Sequence, residues 1–232
     1  MGAVSRSPAR IGAAGAEEVL AEARKAFLVM FGFLAVLWLI QLANWGGDYT
    51  LSHDYGVGSG DPATLPAILT APLLHWSWAH IESNSGPLFV FGFLAAYRGV
   101  ARFLGLTLLI AVTSGLAVWI FERDNVATVG ASGLVFGYFA HVVVRGLVDR
   151  HLIDTLIGIV MAASFAYTLA GAVPGAPAGI SWLAHLGGLV GGLAGAWLLR
   201  DRPTRAKTAD IPAARAGHPR ADLHKELDDL GL

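Results

Sequence analysis

A serine set between glycines, Gly130-Ala131-Ser132-Gly133, stands in sequence apolar enough to lie in a bilayer; His185 occurs in a similarly apolar setting, and His80 precedes an apolar run that is clean only from Leu88 to Ala96. A hydroxyl in a membrane helix can serve packing alone, because Gly, Ala and Ser let helices approach closely. It becomes a nucleophile where a base and an oxyanion site converge on it. Imidazole, with an ordinary pKa of about 6.5, can take the serine proton and return it to a leaving amine. Near the start of a helix, the backbone N–H of Ser132 lacks an intrahelical acceptor and sits at the positive end of the dipole. That N–H, the His80 imidazole and the Asn84 amide can form an oxyanion hole, since Asn84 follows His80 by one turn on the same face.

Other polar and aromatic residues have more ordinary expectations. Phe136, one turn after Ser132, is placed to stack on His185 or to be a core aromatic. Glu82 lies two residues from both His80 and Asn84, so it points to the other side of that helix. It is expected to satisfy a loop or a neighbouring helix rather than to orient His185. His75 is read as a structural hydrogen-bonding residue, and His141 and Arg145 as residues of the opposite membrane interface.

These side chains need elements to bring them together. With 55% hydrophobic and 14% charged residues, the chain reads as a polytopic membrane protein. Apolar stretches at 26–45, 103–121, 156–173 and 180–199 are long enough for spans. Residues 126–144 carry Ser132 and His141, and 76–97 begin with His80, Glu82, Asn84 and Pro87; both count as spans if their polar groups face the bundle interior. Six spans place every Lys and Arg except Arg123 on one side, as the positive-inside rule expects, and put both termini in the cytoplasm. The second, fourth and sixth spans then descend from the same side. His80, Asn84, Ser132 and His185 share a depth near that entry. The glycines of the sixth span, Gly187, Gly188, Gly191, Gly192 and Gly195, make a smooth face able to press the imidazole onto the fourth.

The expected fold is an all-α, six-helix membrane bundle at 26–200, with a cytoplasmic segment at 1–25 that is partly disordered (1–15) and a polar cytoplasmic tail at 201–232. A short helix is expected at 221–230. The long connection at 46–74 contains no cation and is expected to carry function or pack back onto the bundle. The Pro/Gly-rich link at 174–179 reads as a flexible cap and, with the fifth helix, as a gate. The absence of cysteine excludes disulfides and thiolate chemistry, and a net charge of -1 argues against a nucleic-acid partner.

The ordered set His75-x4-His80-x3-Asn84, Gly130-x-Ser132-Gly133 and Ala184-His185-x2-Gly188-x3-Gly192 resembles that of the rhomboid intramembrane serine proteases. The resemblance covers residues 26–200. It implies Ser132 as nucleophile, His185 as base, and His80 and Asn84 in the oxyanion hole beside the Ser132 N–H. It further implies Phe136 packed on the base and Gly130, Gly133, Gly188 and Gly192 in support, with no metal or cofactor. The implied partners are membrane proteins with small residues at the cut and a helix-weakened transmembrane segment, met in the bilayer; the Ala, Gly and Arg enrichment of the chain points to a bacterial cytoplasmic membrane. Familiar members carry a Trp-Arg pair in the first external loop; residues 46–74 have neither, so this loop is expected to pack in its own way. The arginines Arg98 and Arg102 follow the second helix without the Glu that many members have there.

Rival functions leave different marks. An intramembrane metalloprotease wants His-Glu-x-x-His on a helix, and an α/β-hydrolase elbow wants Gly at Leu134 after a strand; neither occurs. A noncatalytic, client-binding relative would hold membrane partners without cutting them. A small transporter or channel with proton-relaying histidines would keep its function in Ser132→Ala.

Overall fold

The computed structural model describes residues 8–123, 126–175 and 179–200, and their regular structure is helical. Helix α1 (Pro8–Gly46) opens on a proline, whose missing N–H and fixed φ suit the first helical position. The disorder expected for 1–15 is therefore replaced by helix from Pro8 onward, while residues 1–7 lie outside the described residues. Two short helices follow, α2 (Thr50–Tyr55) and α3 (Ala67–Thr70), then the longer α4 (Trp78–Ala96), α5 (Val100–Phe121) and α6 (Ser132–Asp149). Helix α7 (Leu152–Phe165) tightens into a 3₁₀ helix at Ala166–Ala172, and α8 (Trp182–Leu198) closes the bundle. The tail at 201–232, with the helix expected in it, and residues 176–178 of the expected cap lie outside the described residues.

Segments Gly15–Gly46, Val100–Phe121 and Leu152–Ala172 are long and apolar enough to cross a membrane, and α8 is apolar over 17 residues. Phe31, Leu39, Leu108, Ile159 and Val190 project outward, a surface that water would not tolerate and lipid does. The chain is an integral membrane protein. Inside, Ile81, Leu88, Phe91, Leu106, Ile110 and Tyr138 are fully buried. The Phe91 ring meets Phe139 and Phe165 edge to face, at 5.3 and 5.0 Å between centroids.

The most extensive helix pair is α6 with α8. A Cβ at Gly188 would strike the Gly133 carbonyl, and one at Gly192 the Gly137 carbonyl. Only glycine lets the two backbones lie this close. Ser114 of α5 joins them, its hydroxyl donating to the Ala184 carbonyl at 2.8 Å while packing on Gly133.

The long connection packs back, as expected. Val57 and Thr128 exchange both backbone hydrogen bonds, at 3.0 and 2.9 Å. Gly130 N–H donates to the Ala71 carbonyl at 2.9 Å, and the Trp76 indole to the Ala127 carbonyl at 3.2 Å. On the other flank, the Asn44 amide donates to Ser52 Oγ at 2.8 Å and to the His75 carbonyl at 3.0 Å. The loop is thus tied both to α1 and to the segment that leads into α6.

Three expectations change. The fourth helix does not begin at 126, because residues 126–131 are engaged with the loop and Gly130 has φ +130°, so α6 starts at Ser132. The fifth begins at Leu152, with Asp154 in its first turn accepting from Arg98 and lying 3.3 Å from His151 Nδ1. His141 and Arg145 are not interface residues: they are 3% and 6% exposed, and Arg145 Nε donates at 2.9 Å to Asp149 Oδ2 one turn on. The acid neutralises the cation inside the bundle, so the side chain need not reach toward water.

Candidate active site

The site is built at the end of the bundle where α4, α6 and α8 begin. Each start is marked in the sequence. Ser77 caps α4, its hydroxyl accepting from the His80 N–H at 3.1 Å, and Ser181 caps α8 by accepting from the Ala184 N–H at 3.2 Å. Helix α6 starts without a side-chain cap and on Ser132 itself. By that position its own N–H has no acceptor in the helix.

His185 Nε2 lies 2.8 Å from Ser132 Oγ. On the opposite side of the ring, Nδ1 lies 2.7 Å from the carbonyl oxygen of Gly171. A carbonyl only accepts, so the proton sits on Nδ1 and Nε2 presents a lone pair to the serine hydroxyl. Phe136 stacks on the imidazole at 4.1 Å between centroids and 12° between planes, the first of its two expected positions. Gly171 belongs to the 3₁₀ segment after α7, and a Cβ there would come within 3.2 Å of Nδ1. No side chain signals this contact in the sequence, which is why a search for an orienting carboxylate finds nothing. Glu82 is exposed and forms no hydrogen bond or ion pair among the described residues, so its expected satisfaction of a loop or helix does not occur.

His80 and Asn84 line, with Ser132, Phe136 and His185, a cavity of about 850 Å³. Asn84 is 8% exposed and its Nδ2 has no acceptor among the described residues. A buried amide donor left unmatched costs about 1–3 kcal/mol, so its place in the cavity wall is that of a donor kept for something else. The His80 ring rests on Gly130, where a Cβ would come within 2.8 Å of Cε1 and Nε2; φ +130° excludes other residues there as well.

His75 stands behind this wall, outside the helices that cross the membrane. It is fully buried, edge-on to His80 at 4.9 Å, and its Nε2 accepts from the Ala131 N–H at 3.3 Å. Burial, with the neighbouring His80 second, lowers its pKa to about 3. The neutral ring is the form that can accept from Ala131, and through that bond it fixes the residue before Ser132. His75 therefore has the structural hydrogen-bonding role expected of it.

The pair, the donors around it and the cavity have the composition of an acyl-transfer site. Comparison with known proteins identifies the family. The Rhomboid domain family model matches residues 62–202. An uncharacterized protein of Mycobacterium tuberculosis is 36% identical over 195 residues, 81% of each chain. An uncharacterized protein of Mycobacterium leprae is 34% identical over 183 residues, 75% of this chain and 72% of the relative. The chloroplastic rhomboid-like protein 11 of Arabidopsis thaliana is 32% identical over 155 residues, 62% of this chain and 55% of the relative. With the family model spanning more than half of the chain and the pattern of glycines, serine and histidines in place, the chain belongs to the rhomboid family.

Proposed function

We propose that the protein is a serine endopeptidase that cuts other membrane proteins within or beside a transmembrane helix. The observation that carries the reading is the 2.8 Å contact of Ser132 Oγ with a His185 Nε2 whose other nitrogen is already committed to Gly171. As Ser132 Oγ attacks the scissile carbonyl, its proton passes to Nε2. Developing charge on the carbonyl oxygen meets the Ser132 N–H, Asn84 Nδ2 and the His80 ring. The imidazolium, held by the Gly171 carbonyl and covered by Phe136, returns the proton to the leaving amine as the C–N bond breaks. Water then enters the cavity and gives a proton to Nε2 as its oxygen attacks the acyl carbon; Nε2 returns that proton to Ser132 Oγ as the acyl C–O bond breaks and the acid is released.

The reading extends to topology. Six spans within residues 26–200, formed by α1, α4, α5, α6, the α7 segment and α8, leave the segment 1–25 and the tail 201–232 in the cytoplasm. The site then opens near the outer face of a bacterial cytoplasmic membrane, where bacterial relatives and the cation distribution support placing it. A helical peptide bond is shielded by its own hydrogen bonds. Substrates with small residues at the cut and a helix-weakened segment are therefore the ones that can present an extended bond to Ser132.

Fluorophosphonate labelling of detergent-purified protein tests the pair. Wild type becomes labelled and Ser132→Ala and His185→Ala do not; equal labelling of all three rules it out. Co-purification of membrane partners without cleavage would favour the noncatalytic alternative.

A further inference from the structure

We infer that Glu122 is a specificity-determining residue that favours substrates carrying a basic side chain close to the scissile bond; this rests on the proteolytic reading above. Glu122 caps the C-terminal end of α5 and lines the 850 Å³ cavity that holds Ser132 and His185. Among the described residues lining that cavity, Glu122 is the one with a formal charge. Glu122 forms no ion pair among the described residues.

The carboxylate is aimed rather than free to swing. Its Oε2 accepts from the Ser181 hydroxyl at 2.9 Å, and Oε1 accepts from the Arg123 N–H at 3.3 Å. Its own carbonyl accepts from the Ser59 hydroxyl, which fixes the backbone below it. A carboxylate oxygen accepts two hydrogen bonds, so each keeps capacity for a further donor. Ser181 is the cap of α8 and His185 lies four residues on, about 6 Å along the helix axis. The charge is thus within a side chain's reach of the reacting atoms. Ile180 and Trp182 line the same part of the cavity and offer apolar cover for the alkyl stem of a lysine or arginine, whose charged end would meet Glu122. Holding Ser181 would need only a hydrogen-bond acceptor; a carboxylate at a partly exposed position, where the other described lining residues carry no formal charge, adds selection by sign.

The test compares a set of model transmembrane substrates that differ only in Lys, Gln or Glu, scanned through positions on both sides of one cut. The ratio of kcat/KM values, rather than the rate, is the readout. Wild type favours the Lys substrate over the Gln substrate by about two- to five-fold at the responsive position, as a partly exposed ion pair allows. Glu122→Gln, which keeps the acceptor for Ser181, brings the ratio to one, and Glu122→Lys turns the preference toward Glu. Raising the salt lowers the wild-type ratio, a second measure that needs no variant. The inference is overturned if wild type shows no preference, or if its preference survives in Glu122→Gln. Absence of any cleavage by wild type, with Ser132 unlabelled by fluorophosphonate, overturns the proteolytic reading itself.

Discussion

The Nδ1 of His185 is bonded not to a carboxylate but to the main-chain oxygen of Gly171, at 2.7 Å. A carbonyl fixes the tautomer as a carboxylate does, while contributing a dipole in place of a full charge. On the proteolytic reading, the imidazolium formed during acyl transfer is correspondingly less stabilised. Accuracy of placement therefore matters more here than charge.

Gly171→Ala tests that placement. The new Cβ would sit 3.2 Å from Nδ1, so the imidazole must shift by a few tenths of an ångström, whereas 3.5 Å to the Phe136 ring is ordinary contact. We expect kcat to fall by about tenfold, in line with the steep cost of small misplacements, while the unfolding temperature changes little. Unchanged turnover would show that the Gly171 contact does not position the base.

Asn84 separates catalysis from stability. On the proteolytic reading Asn84 is an oxyanion donor, and since loss of one such donor costs about 10²–10³ in kcat, Asn84→Ala should lose that much. Because Nδ2 is buried without a partner among the described residues, its removal should leave thermal stability equal or higher. A stability loss that accounts for the lost activity would assign Asn84 to structure.

Gly188→Ala and Gly192→Ala should behave in the opposite way. Each Cβ meets a carbonyl of α6, and backbone cannot yield as a side-chain tip can. A destabilisation of about 1–3 kcal/mol is expected for each, read as a lower unfolding temperature in detergent, with activity lost alongside. Full stability in either variant would mean that α6 and α8 are not in this contact.

The pH dependence of stability follows from His75. Its pKa falls from an ordinary 6.5 to about 3 on folding, so the unfolded chain takes up a proton first as the pH drops. The stability that the neutral ring contributes is complete above pH 6.5 and is lost progressively between 6.5 and 3. Unfolding temperatures measured from pH 7 to pH 4 should decline more steeply in wild type than in His75→Asn; parallel curves would contradict the shift.

Much of this architecture can be read from side-chain chemistry in the sequence. Polar and ionisable groups are rare in membrane helices, so Ser132, His80 and His185 stand out, and the one-turn spacing from Ser132 to Phe136 anticipates the stacked ring. The glycines of the last helix anticipate the α6–α8 contact. What escapes is carried by the main chain or by distant pairing: the Gly171 carbonyl has no side-chain signature, and the Val57–Thr128 bridge joins residues no periodicity relates. Two misses did leave marks. Pro8 at a first helical position and Asp149 one turn after Arg145 are local patterns, outweighed by the small polar composition of 1–15 and by the habit of assigning arginines to interfaces.

The loop at 46–74 holds the residues immediately before Ser132 through Val57 and Ala71. The position of the serine thus rests on the docked loop as well as on the packing of α6 against α8. On the proteolytic reading, severing the loop would disarm the enzyme without touching the serine or its base.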